Sequence, residues 1–194
     1  MATHNFSFLP LLLSLLFISF SGSTTADSTA FIRASCKATN YPAVCLQSLS
    51  GYASAIQQSP RQLALTALSV SQARAESTRS FVAKLAKFRG LKAREYGAIK
   101  DCLEEMGDSM DRIQKSIKEL SGATKKKGKD FLWHMSNVQT WVSAALTDEN
   151  TCLDGFSGRA LDGKIKSSVK ARATNVAQVT SNALALVNQY AAKS

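Results

Sequence analysis

The chain has 194 residues, 24 Lys and Arg against 14 Asp and Glu, and a formal charge of +10. That length suits one domain that buries about 70% of its unfolded surface, once a leader is set aside. The basic excess bears on solubility and partners, not on fold. For an exported chain it favours an extracellular polyanion, or simply a soluble basic surface, over nucleic acid.

Export is read from the first 26 residues, which contain no Asp, Glu, Lys or Arg. The apolar run Phe6 to Phe20 is 15 residues long, shorter than the roughly 20 a bilayer span needs. Small residues from Ser23 to Ala26 then precede Asp27, which is the order of a signal peptide cleaved after Ala26. One departure is the absence of Lys or Arg ahead of the run. The final QYAAKS offers no hydrophobic tail, so the expectation is a mature chain without a membrane anchor. The expected organisation is a removed leader over 1–26, a helical hairpin extension over 27–58 and a bundle over 59–194.

Within 27–58, Phe31 to Cys36 and Val44 to Leu49 read as two short helices around a turn containing Tyr41-Pro42. A longer helix is expected from Ser59-Pro60, with Ser59 as N-cap and Pro60 in the first turn. Its stripe runs Ala64, Leu68, Ser71, Ala75, Thr78, Val82 and Leu85, small enough at half its positions for close helix approach. From about Leu91 to Leu120, apolar residues fall at Ile99, Leu103, Met106, Met110, Ile113, Ile117 and Leu120. Alternating steps of 4 and 3 make a helical seam. Ser121 to Asp130 reads as a polar link, and Phe131, Met135, Val138, Val142 and Ala145 continue the rhythm. A last helix is expected over about Asp162 to Tyr190, carrying Ile165, Val169, Val176, Ala183 and Tyr190 on one side. With no alternating strand pattern, the fold class is all-α: an up-down-up-down four-helix bundle preceded by an N-terminal helical hairpin.

Cys36, Cys45, Cys102 and Cys152 form an even set, which in an oxidising compartment reads as two disulfides with three possible pairings. Zinc is poorly served, since no CxxC occurs and His134 is the sole histidine beyond the leader. Catalysis has little to work with. His134 beside Met135 reads as a packing or surface residue, and no nucleophile elbow, phosphate loop or HExxH is present. Glu104 and Glu105 stand about 100° apart on a helix, so they do not face each other as an acid pair. No cofactor is implied. Trp133 and Trp141 read as packing at a bundle end, with interface anchoring as the alternative. Lys125, Lys126, Lys127 and Lys129 read as a solvated tip, with binding to an acidic polysaccharide as the alternative.

Three strings are more specific: CKATNYPAVC (Cys36 to Cys45), DCLEEMGDSMDRIQKSI (Asp101 to Ile117) and VQTWVSAALTDENTCLDGF (Val138 to Phe156). Together they resemble the plant invertase and pectin methylesterase inhibitor family, over essentially the whole chain beyond the leader. The resemblance implies a disulfide-bridged hairpin projecting from a four-helix bundle, with pairings Cys36–Cys45 and Cys102–Cys152. It implies an inhibitor and not an enzyme, secreted to the apoplast. There it would block the pectin-binding cleft of pectin methylesterase in a one-to-one complex and so regulate pectin de-esterification in the cell wall.

The family's invertase inhibitors instead insert a loop with a Pro-Lys-Phe motif. The corresponding place here reads Gly128-Lys129-Asp130-Phe131, which favours the pectin methylesterase target and leaves invertase inhibition as the alternative. A non-inhibitory polyanion-binding wall protein is the second alternative. Carried over by motif, the partner-binding residues are Glu104, Glu105, Asp111, Thr151 and Asp154. Glu105 departs from the Asn often found there, and solvated helix surface is the plainer reading of all five.

Overall fold

The computed structural model describes residues 25–123 and 128–192, with helices and turns and no strand among them. Helix α1 covers 25–36, α2 Pro42–Leu49 and α3 Ala53–Ile56, with a 3-10 turn Ser50–Tyr52 between the last two. The long helices are α4 Pro60–Leu85, α5 Ala93–Gly122, α6 Gly128–Gly155 and α7 Lys164–Ala191, with a 3-10 turn Arg159–Leu161 before α7. The expected leader lies outside the described residues except for Thr25 and Ala26, which stand in α1. Lys125, Lys126 and Lys127 also lie outside them.

Local chemistry explains the starts and turns. Ser59 Oγ accepts from the Gln62 N–H at 3.3 Å and Pro60 opens α4, as a capped start requires. The α4–α5 link turns at Gly90, whose φ of +87° is disfavoured for any residue with a Cβ. At α5 the Lys92 N–H donates to Glu95 Oε2 at 2.8 Å, satisfying a donor that the helix leaves open. Helix α6 runs on to Gly155, ten residues past Ala145, the last position of its anticipated apolar rhythm. Thr147, Asn150 and Thr151 each bond the carbonyl four residues back, so polar side chains follow the helix instead of ending it.

Sequential long helices are antiparallel neighbours, and α7 closes the bundle against α4. The α4 stripe faces inward as expected, with Ala64, Leu68, Ser71, Ala75, Thr78 and Val82 all buried. The interior has two apolar clusters. One, around Leu68, Ile113, Val142 and Leu186, extends under the N-terminal hairpin; the other gathers Val82, Ile99, Met106, Phe156 and Val169 at the opposite end.

Between these clusters lies a polar layer to which every long helix contributes. Ser71, Ser109, Glu149 and Thr180 each have 0% exposure. Ser109 Oγ donates to Glu149 Oε1 at 2.7 Å and Thr180 Oγ1 donates to the same oxygen at 2.8 Å. With its proton directed there, Thr180 accepts from Ser71 across 2.6 Å.

The hairpin packs onto the bundle and does not project from it, contrary to what the family resemblance implied. Ile32 and Ile56 are fully buried in the first cluster. Asn182 on α7 brackets the turn, its Oδ1 accepting from Tyr41 N–H and its Nδ2 donating to Tyr41 O, both at 2.9 Å. Asn40 Nδ2 donates to Ser181 Oγ, and Gln189 Nε2 donates to Ser35 O. A disulfide joins Cys36 to Cys45, both nearly inaccessible, and a second joins Cys102 on α5 to Cys152 on α6.

Candidate partner-binding site

The Cys102–Cys152 bond brings the Cα atoms of α5 and α6 to 4.3 Å. Glu104 and Glu105 follow Cys102 within a turn, and Thr151 and Asp154 flank Cys152 within a turn, so these four sit at one end of the helix pair. Asp111 lies farther along, about 14 Å from Cys102 by helical rise. Glu104, Asp111, Thr151 and Asp154 are exposed, whereas Glu105 is half-buried.

Two of the five residues line a groove between α4 and α5, and Glu105 and Thr151 lie nearer Asp148 on α6. Glu104 and Asp111 line the α4–α5 groove together with Asp108, Gly107 and Arg79. Arg79 Nε donates to Leu103 O at 3.3 Å and lies beside Gly107, in ordinary van der Waals range of a Cβ there. Glu105 lies within electrostatic reach of Asp148 on α6, and Thr151 stands three residues beyond Asp148 on the same side of its helix. The Thr151 hydroxyl donates to the Thr147 carbonyl, which leaves its oxygen lone pairs to face outward.

Electrostatics link the residues on α5 to those on α6. Burial, then the nearby charges of Asp148, Asp108 and Glu104, hold the Glu105 carboxyl above the usual carboxylate range, with Arg112 opposing them. Burial also raises Asp148, although the Arg112 guanidinium bonds it at 2.7 Å and pulls the other way. Asp108, Arg112 and Asp148 were not foreseen as part of this surface. Asp108 and Arg112 share an i,i+4 spacing that hints at one helix face, but only the fold shows that Asp148 stands opposite. Beneath the surface, Glu149 is pushed up to about 7 by burial, against the lowering effect of its two hydroxyl donors. Among the described residues no three His, Cys, Asp or Glu side chains gather in a metal-binding group.

Residues 30–186 match the model of a family described as plant invertase/pectin methylesterase inhibitor. This chain belongs to that family. It is 55% identical over 183 residues to the 21 kDa protein of Daucus carota, covering 94% of this chain and 95% of the relative. It is also 55% identical over 171 residues to pectinesterase inhibitor 11 of Arabidopsis thaliana, covering 88% and 85%. The fold is similar to the crystal structure of mutant form A of a pectin methylesterase inhibitor from Arabidopsis. That match has TM-score 0.64 and 24% identity, covering 79% of this chain and 92% of the other.

Within the family's two-target frame, the stretch Gly128 to Phe131 is informative. It forms the first turn of α6 and not a free loop, and Phe131 is 5% exposed with its ring edge-to-face with Tyr190 at 5.6 Å. A phenylalanine committed to the core is not available to enter another protein's pocket. Trp133, read from the sequence as packing, is instead 62% exposed, while Trp141 is half-buried. The difference arises because the buried seam through Phe131, Met135 and Val138 leaves residue 133 on the outer side of α6. His134 Nδ1 hydrogen-bonds Glu119 Oε1 at 2.7 Å, and the same oxygen accepts from Asn137, so the histidine has a structural role between α5 and α6.

Proposed function

We propose that this protein is a secreted inhibitor of pectin methylesterase that acts in the cell wall. It docks the outer face of α5 and α6 beside the enzyme's pectin-binding cleft in a one-to-one complex. Methylated pectin is thereby kept out, and no covalent step is involved. Family membership with relatives named pectinesterase inhibitors supports the target class. The observation that carries the reading is the acidic surface tied together by Cys102–Cys152, on which Glu104, Asp111, Thr151 and Asp154 are exposed and Glu105 is half-buried. A pre-formed face avoids most of the ordering entropy of binding, which suits inhibition by occlusion.

The buried Phe131 weighs against the invertase reading. The test measures methanol release from methylated pectin by plant pectin methylesterases, and sucrose hydrolysis by invertase, with residues 27–194 added. Methanol release should fall to near zero at one molar equivalent while sucrose hydrolysis is unchanged. The double variant Asp111→Lys with Glu104→Lys should inhibit at least about tenfold less well, as loss of two interfacial charges predicts. Undiminished methanol release across several plant enzymes would sink the proposal.

A further inference from the structure

Charge is unevenly shared among the four long helices. Helix α4 carries four bases and one acid, and α7 four bases and no acid. Helix α5 carries seven acids to five bases, and α6 four acids to one base. Because α4 packs on α7 and α5 on α6, the bundle has a basic side and an acidic side. The proposed inhibitory face accounts for the acidic side alone.

On the basic side an open groove follows the α4–α7 seam. One stretch is lined by Arg74, Ser77 and Phe81 from α4 and by Ser168, Arg172 and Asn175 from α7. A second stretch shares Arg74 and Ser77, leaves the α7 wall and runs between α4, as far as Thr66, and the N-terminal hairpin, where Gln47, Ser48 and Tyr52 line it. From Thr66 to Phe81 the groove follows α4 for about 22 Å. Arg172 stacks its guanidinium 4.2 Å above the Phe81 ring, which fixes the fork while leaving its N–H groups outward. Both Arg74 and Arg172 are exposed, and no carboxylate among the described residues bridges to either. Tyr52 is 47% exposed at the far edge.

We infer that this groove binds a linear polyuronate, the de-esterified form of pectin. Arg74 from α4 and Arg172 from α7 line the same stretch of the groove, where two guanidinium forks can bind the carboxylates of a chain bidentately. The floor of serine, threonine and asparagine side chains offers donors and acceptors to sugar hydroxyls. An exposed tyrosine at the end provides a flat apolar face for a sugar ring. A fully methyl-esterified chain lacks the carboxylates and is a poor ligand. This binding does not depend on the inhibitory reading, because it uses the other side of the bundle.

The test passes residues 27–194 over immobilised polygalacturonate and elutes with a salt gradient, because screening weakens exposed charge contacts. Wild type should be retained at low salt, and fully methyl-esterified pectin should not retain it. Arg74→Glu with Arg172→Glu should weaken binding about tenfold or more, while Asp111→Lys and Lys129→Glu, which lie off the groove, should not weaken it. Circular dichroism and melting temperature check folding. Arg74→Glu alone, which leaves the Arg172–Phe81 stack intact, should still lower the eluting salt. Full retention of the double variant overturns the groove, as does failure of wild type to bind. Equal binding to a nucleic acid of matched charge overturns the uronate assignment.

Discussion

Glu149 is the residue whose chemistry departs furthest from its type. A carboxyl with no exposure, two hydroxyl donors on one oxygen and none on the other is set up to carry a proton on Oε2. Its folded value of about 7 lies above the ordinary 4.5, so protonation stabilises the fold. That contribution is complete below about pH 4.5 and is lost as pH rises through about 7. The shift corresponds to roughly 3 kcal/mol. Glu149→Gln keeps an acceptor for Ser109 and Thr180 but cannot ionise. Denaturant melts from pH 4.5 to 8.5 should show the wild type losing roughly that much relative to the variant, and parallel curves would refute it. Glu105 invites a second titration experiment. Burial and then neighbouring acids already disfavour its charge, so docking that buries it further takes up a proton. Inhibition should then tighten as pH falls from 7 toward 5, by up to about tenfold per pH unit for one proton. Glu105→Gln should flatten that dependence, and an unchanged slope in a competition assay would remove Glu105 from the interface.

At the scale of elements, the sequence was informative wherever apolar spacing was regular. The 4-3 seam of α5 and the Ser59-Pro60 start of α4 were legible because helix burial and capping impose local patterns. The polar layer was not, because Ser71 looks like any small residue in a stripe and Glu149 like any surface acid. Only the meeting of four helices makes them partners. The candidate contacts were visible through their motifs. That Glu104 and Asp111 line a groove with Arg79 of α4 was not, since it depends on which helix packs beside α5. The hairpin's docking was hidden for a similar reason, since Asn182 and Tyr41 are 141 residues apart. The two disulfides should contribute unequally. Separations of 9 and 50 residues correspond to about 2.5 and 4 kcal/mol in the chain-entropy model. Replacing Cys102 and Cys152 by Ala should therefore lower stability more than replacing Cys36 and Cys45. It should also weaken inhibition, because it frees α5 from α6. The opposite ranking in chemical denaturation would show that native packing, not loop closure, dominates.

For the whole molecule, the consequence lies in the separation of its charges. A protein of net charge +10 that blocked an enzyme through its basic side would compete with every acidic chain in the wall. Here the acid-rich pair α5–α6 and the base-rich pair α4–α7 face away from each other across one core. The two surfaces can then be occupied together, with the bundle as a rigid spacer. Protein preloaded on polygalacturonate beads should still capture pectin methylesterase from solution, with an affinity within about threefold of the free protein, since distant sites act nearly independently. Arg74→Glu with Arg172→Glu should capture none on the beads yet inhibit normally in solution. Asp111→Lys with Glu104→Lys should stay on the beads and capture little. If soluble polygalacturonate instead displaced the enzyme from the inhibitor, the two faces would overlap. The division of the bundle into an anchoring side and an inhibiting side would then be wrong.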